Sequence, residues 1–117
     1  MTLQAVLETI ENHDFMLHPY KENGVLCGYE MEGWTDCGVD IIHFIDCRDE
    51  EGVTARNVIE EIKQIYVNFD ADEEIDLHRK GEDYRNAFTI RQSLEDFDGY
   101  AERLKALWLE LDKKDKE

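Results

Sequence analysis

The spacing of apolar residues predicts helices at both ends of the chain and a small sheet near its middle. Near the N-terminus, apolar residues recur at the i, i+3, i+4 and i+7 positions of a helix, namely Leu3, Val6, Leu7 and Ile10. Thr2 precedes them, and its hydroxyl can cap the first turn. One narrow apolar stripe of this helix is therefore expected to face the core.

Two further helices are predicted in the second half of the chain. The first covers residues 54–69, with Thr54 as the N-cap and with Val53 and Val58 placed to form a hydrophobic staple. The second is predicted to begin at Ser93 and to run to about residue 112. Residues 82–92 carry no pattern that assigns them to a helix or a strand. Within them, Ala87 to Arg91 fit either a short strand or a run-in to the last helix.

Between the helices, residues 25–34 and 38–47 alternate as two antiparallel strands do. Pairing Trp34 with Gly38 gives one face that is almost entirely apolar, while a slip by one residue would bring acids into it. In this register Glu32 stands directly opposite Asp40, a like-charge pair that costs stability. Residues 13–24 look loop-like or weakly extended.

These elements predict an α+β fold, with a small antiparallel sheet, either a β-hairpin or a three-strand meander, covered by three to four helices. A single domain is expected over residues 1–112, because no linker or repeat divides the sequence. Residues 113–117 are expected to form a charged C-terminal tail.

Composition narrows the classes of function. The 117 residues carry a net charge of −16 together with 42% apolar residues, which is typical of an acidic folded domain rather than a disordered segment. No stretch is apolar enough to cross a membrane, and the three cysteines favour a reducing cytoplasm over a disulfide framework. Direct binding to nucleic acid is disfavoured, since it requires Lys and Arg that neutralise phosphates.

The negative charge is concentrated in residues 30–76, which contain fifteen acidic and only three basic residues. We therefore expect a small non-enzymatic protein that contacts a basic protein surface through this segment. The residues predicted to bind the partner are Glu30, Glu32, Asp40, Asp46, Asp70, Asp72, Glu73 and Glu74.

A more specific form of this hypothesis is mimicry of nucleic acid. Alternate carboxylates on a strand, such as Glu30 and Glu32, stand about 6.6 Å apart, on the scale of two phosphate steps along a nucleic-acid strand. Such a surface could occupy the basic groove of a nucleic-acid-binding protein, as acidic anti-restriction inhibitors do. The likeness is one of charge only.

The acidic stretch from Asp70 to Asp76 has two interpretations. The favoured one is a helix N-terminus, with Asp70 as the cap and with Arg79, Lys80 and Gly81 at the opposite end. The other is a calcium loop counted from Asp70. That interpretation fails, since Ile75 and Gly81 stand where an EF-hand loop needs Gly and Glu.

Cys27, His43 and Cys47 share the apolar face of the predicted sheet and are weak candidates for a metal or small-molecule site. Three ligands strung along strands fall short of a closed zinc site, so a core histidine with two buried thiols is favoured and no cofactor is expected. No G-x-S-x-G, P-loop, G-x-G-x-x-G or H-E-x-x-H pattern points to an enzyme.

The predicted last helix carries Leu109 opposite its apolar stripe. A second apolar surface on this helix would suit a homodimer or another partner contact.

Overall fold

The computed structural model is an α+β domain, and it describes residues 1–36, 38–74 and 87–117, with the side chains of the last range from residue 95 onwards. The described helices and strands follow in the order α1 (Leu3–Asn12), β1 (Met16–Glu22), β2 (Val25–Trp34), β3 (Asp40–Asp46), α2 (Ala55–Asn68) and α3 (Ala87–Lys116). A helical turn also occupies residues 71–74. The three strands form one antiparallel sheet in the order β1-β2-β3, which confirms the predicted fold class in its meander form.

The predicted helix starts of α1 and α2 are confirmed. The Thr2 hydroxyl accepts a hydrogen bond from the backbone N–H of Ala5 at 3.1 Å, and the Thr54 hydroxyl accepts one from Asn57 at 3.2 Å. Each cap satisfies an N–H group that has no partner inside its helix. Val58 is fully buried and Val53 packs against the same core, as expected for a hydrophobic staple.

Of the two expectations for residues 13–24, loop-like or weakly extended, the structure confirms the extended one, since Met16–Glu22 form strand β1. Its connection to β2 is the dipeptide Asn23-Gly24, in which both residues have positive φ, 51° and 78°. Two successive left-handed residues are what a tight two-residue hairpin requires. This turn allows Met16–Glu22 to pair with β2. Pro19 lies within β1, where it is tolerated because β1 is an edge strand.

The pairing of β2 with β3 keeps the predicted faces but differs from the predicted register by two residues. Trp34 stands opposite Asp40, and Glu32 stands opposite Ile42, so the expected like-charge pair of Glu32 with Asp40 is wrong. The turn explains the shift. Gly38 has a φ of 87° and donates its N–H to the Thr35 carbonyl, so it belongs to the turn and not to the strand.

Helix α3 is longer at both ends than the sequence predicts. Ser93 lies inside the helix and not at its start, because residues 87–92 are already helical. The segment 113–117, expected as a tail, continues the helix to Lys116. Lys114 and Lys116 form i, i+4 ion pairs with Glu110 and Asp112 at 3.5 Å and 3.0 Å.

One face of the sheet, here called the inner face, packs against all three helices. The core is a single cluster of buried side chains from every element except β1, together with Phe15 just before β1. Its members are Val6, Ile10, Phe15, Tyr29, Met31, Ile41, Ile45, Val58, Ile59, Ile62, Phe97, Tyr100, Leu104, Leu107 and Leu111. None of the described helices is long and apolar enough to span a membrane.

Tyr100 of α3 occupies the contact between helix and sheet. Its ring meets Phe15 edge-on at 5.8 Å between centroids, above Gly33 of β2. A Cβ at Gly33 would come within 2.8 Å of both rings, so only glycine leaves room for them. Arg103 lies over the two rings and donates to the Trp34 carbonyl at 2.7 Å and to the Asp14 carbonyl at 3.3 Å.

Gly33→Ala should lower the free energy of unfolding by about 1–3 kcal/mol, because the added methyl group would push Phe15 and Tyr100 apart. Urea denaturation measures this. Gly99→Ala is the matched control, since Gly99 lies on α3 with nothing within 4 Å of the added Cβ. That variant should gain about 0.4–1 kcal/mol. Equal effects of the two substitutions would contradict the close packing at Gly33.

Candidate interaction surface

The other face of the sheet, here called the outer face, carries side chains from all three strands in regular rows. One row runs from Met16 through Glu32 to Ile42. The next runs from His18 through Glu30 to Phe44. Directly opposite residues of antiparallel strands point to the same side, so each row places a carboxylate on the central strand between side chains of the two edge strands.

Large apolar side chains on the outer face are open to solvent. Met16, Ile42 and Phe44 are 48%, 59% and 49% exposed. Tyr20 from β1 meets Phe44 from β3 edge-on, with 4.7 Å between ring centroids. The two rings come from the strands on either side of β2, and Tyr20 pairs there with Gly28. An apolar strip therefore crosses the sheet.

Acidic side chains surround and interrupt this strip. Glu30 and Glu32 are half-buried on the central strand, while Asp40 and Asp46 are exposed at the two ends of β3. Lys21 is the only Lys or Arg between residues 16 and 46 of the sequence. The outer face thus combines exposed apolar surface with a strongly negative potential. Four of the eight residues predicted to bind a partner lie on it.

The other four predicted residues, Asp70, Asp72, Glu73 and Glu74, lie beyond the end of α2. Phe69, the residue before them, packs against His43 and Tyr100 on the inner side of the sheet. The eight acids therefore form two groups, one on the outer face and one beside the helices.

Asp70 acts as a helix cap. Its carboxylate accepts hydrogen bonds from the backbone N–H groups of Asp72 and Glu73 at 3.0 Å and 3.3 Å, and its carbonyl accepts one from Glu74. These bonds confirm the helix N-terminus predicted for the start of this stretch. The predicted C-terminal half of that helix, residues 75–81, lies outside the described residues.

His43 faces the core from β3 and has an aromatic environment. Its Nε2 lies 2.7 Å from the Tyr100 hydroxyl, and its ring stacks on Tyr100 at 5.8 Å between centroids. Burial lowers the pKa of His43 to about 4, so the imidazole is neutral near pH 7. Burial also raises the pKa of Tyr100, which keeps its hydroxyl protonated and able to donate to Nε2.

The predicted candidates for a metal site do not form one. Among the described residues, no three His, Cys, Asp or Glu side chains are close enough together to hold a metal ion. Cys27 is buried and Cys47 is half-buried, and both thiols are reduced. His43 uses its Nε2 on Tyr100, a partner 57 positions away that local sequence patterns do not indicate. The arrangement is that of a core histidine.

Leu109 of α3 is 53% exposed, as its position opposite the buried stripe predicts. It remains a predicted contact for a second copy or another partner.

Comparison with known proteins gives no relative from which to transfer a function. No family model matches the chain, and neither a curated protein nor a solved structure does.

The half-buried imidazole of His43 should make stability depend on pH. In the unfolded chain His43 takes up a proton near pH 6.5, whereas in the folded protein it does so only near pH 4. The unfolded state therefore binds more protons between these values, and stability falls as the pH is lowered through this range. We expect a loss of roughly 2 kcal/mol between pH 7 and pH 5 from this group.

Urea denaturation of the wild type and of His43→Gln at pH 7 and pH 5 measures this contribution. Gln can still pair with the Tyr100 hydroxyl but does not titrate, so its stability should fall by less. Parallel losses in wild type and His43→Gln would show that His43 is not the responsible group.

Proposed function

We propose that this protein is a non-enzymatic binding protein whose outer sheet face contacts a basic surface of another protein. The observation that carries the proposal is the pair of half-buried carboxylates on the central strand, with Glu32 between the exposed Met16 and Ile42 and Glu30 beside the exposed Phe44. A solvated face kept acidic for solubility alone has no need of large apolar residues beside its acids.

Arginine and lysine side chains are the chemical complement of such a face. Each has an apolar stem that can lie against Met16, Ile42 or Phe44 and a cationic head that can reach Glu30 or Glu32. Arginine can in addition form two parallel hydrogen bonds with a carboxylate. The partner is therefore expected to expose Arg or Lys next to apolar residues.

The same charges disfavour other occupants of this face. Two copies meeting through their outer faces would bring Glu30 and Glu32 towards one another, on chains that each carry a net charge of −16. Nucleic acid and anionic lipid would be repelled for the same reason. A basic protein surface remains as the favoured partner.

Mimicry of nucleic acid is the narrower alternative. A mimic of a phosphate backbone is expected to place its carboxylates along one continuous surface. The acids of the outer face and those at residues 70–74 belong to different sides of the sheet. The exposed apolar strip also differs from a surface of phosphates. Both features favour protein docking through the outer face over a mimic that uses the whole segment 30–76.

A pull-down with paired charge variants tests the proposal. The double variant Glu30→Lys/Glu32→Lys should lose the proteins that the wild type captures from a nuclease-treated lysate, because it reverses the charge at the centre of the face. Captured proteins are quantified by mass spectrometry at 0.1 M and 1 M salt. Capture by the wild type should fall with salt, since screening shortens the range of exposed charges to about 3 Å at 1 M.

The matched control is Glu60→Lys/Glu102→Lys, which changes the net charge equally at two exposed positions on helices α2 and α3. It should retain the captured proteins. If both double variants lose them to the same extent, total charge rather than the outer face is responsible and the proposal fails. Phe44→Ser should weaken capture at both salt concentrations, because it removes apolar contact without altering charge.

A further inference from the structure

Strand β3 is an open edge of the sheet. It pairs with β2 on one side, and in the described part of the chain no strand lies beyond it. Two backbone hydrogen bonds show which of its groups face β2. The Thr35 N–H donates to the Val39 carbonyl at 3.0 Å, and the Cys47 N–H donates to the Cys27 carbonyl at 3.2 Å. Both bonds join residues that the β2–β3 register places opposite each other, so the odd-numbered residues of β3 bond to β2.

The even-numbered residues of β3 therefore direct their backbone N–H and C=O groups away from the sheet. They are Asp40, Ile42, Phe44 and Asp46, and all four are exposed. Among the described residues, none makes a backbone hydrogen bond to these outward groups. A row of N–H and C=O groups without partners is a template for pairing with another strand.

The opposite edge of the sheet is protected against such pairing. Edge strand β1 contains Pro19, which has no N–H, together with Lys21, and both residue types keep sheet edges from pairing. Strand β3 has the sequence Asp-Ile-Ile-His-Phe-Ile-Asp and contains neither Pro nor Lys. The acids at its two ends are its charged residues. The β3 edge is thus open to an added strand but selective for its charge.

The two acids disfavour a second copy of the chain on this edge. Two β3 strands paired antiparallel about His43 would place Asp40 of each copy opposite Asp46 of the other, and directly opposed like charges are destabilising. A strand with basic ends would form ion pairs at the same positions. Between the acids, Ile42 and Phe44 are 59% and 49% exposed and offer apolar contact.

We propose that the β3 edge binds an extended basic segment of the partner protein, which adds a fourth, antiparallel strand to the sheet. The segment places Arg or Lys opposite Asp46 and Asp40 and apolar residues opposite Phe44 and Ile42. Its pattern is therefore basic-x-apolar-x-apolar-x-basic. This inference rests on the proposed function, because the added strand would continue the rows of the outer face.

The probe for this edge is the peptide Arg-Thr-Val-Thr-Val-Thr-Arg with both ends blocked. Amide hydrogen exchange of the folded protein is followed by NMR with and without the peptide. A peptide concentration ten times the Kd leaves about a tenth of the protein free, so exchange at Ile42 and Phe44 should slow about tenfold. Exchange at Ile41 and Ile45 should change less, because their N–H groups already bond to β2.

N-methylated peptides are the matched controls. Methylation of both valine nitrogens removes donors that face β3 in an antiparallel pair but keeps the charges and the side chains, so affinity should fall about tenfold. Methylation of two threonine nitrogens, which point away from β3, should leave the affinity nearly unchanged. The protein variant Asp40→Asn/Asp46→Asn should also bind the unmodified peptide more weakly at low salt, because two ion pairs are lost.

Three results would each overturn the proposal. They are unchanged exchange of the β3 amides with about 1 mM peptide, equal affinity for the valine-methylated peptide, and slower exchange confined to β1.

The outcome is separable from that of the outer-face proposal. If Glu30→Lys/Glu32→Lys loses its captured proteins but the peptide leaves the β3 amides unprotected, the outer face binds through side chains and the added strand is excluded. If the peptide protects the β3 amides but the double variant keeps its captured proteins, the edge rather than the pair of glutamates holds the partner.

Discussion

The packing of Tyr100 over Gly33 is the contact on which the arrangement of helix and sheet depends. The ring reaches the sheet because Gly33 has no side chain, and Phe15 fills the space beside it. From the same position the Tyr100 hydroxyl pairs with His43, and Arg103 one turn away holds the Trp34 and Asp14 carbonyls. One aromatic residue thereby connects α3 with β2, β3 and the segment before β1, which are far apart in sequence.

This contact also determines which face of the sheet is left open. The apolar stripes of all three described helices pack into the cluster on the inner face, so the hydrophobic core lies on that side of the sheet. Met16, Ile42 and Phe44 lie on the opposite face and take no part in that core. Exposed apolar residues of this size, set among carboxylates, are therefore a reason to look for an external partner on the outer face.

Local patterns in the sequence were sufficient to predict the helix caps and the faces of the strands, but they did not predict the register between β2 and β3. Thr2, Thr54 and Asp70 cap helices as predicted, because capping depends on a few neighbouring residues. The β2–β3 register was wrong by two residues, an error that keeps the paired residues 28–34 and 40–46 on their predicted faces and that hydrophobic alternation cannot detect. The turn at Asn23-Gly24 was a usable signal for β1 that the polar residues and Pro19 of the strand obscured. The pairing of His43 with Tyr100 has no local signal at all.

The corrected register changes the reason for assigning a function to the acids. A like-charge pair of Glu32 with Asp40 would have been an unfavourable contact maintained for some external purpose, but that pair does not exist. Glu32 instead lies between Met16 and Ile42, and Glu30 lies between His18 and Phe44. In its row Glu32 loses part of its hydration, and neither Met16 nor Ile42 can supply a cation. In the proposed complex, a cation of the partner would compensate for this lost hydration. The position of the two acids on the outer face, more than the total charge, is therefore the basis of the proposed binding role.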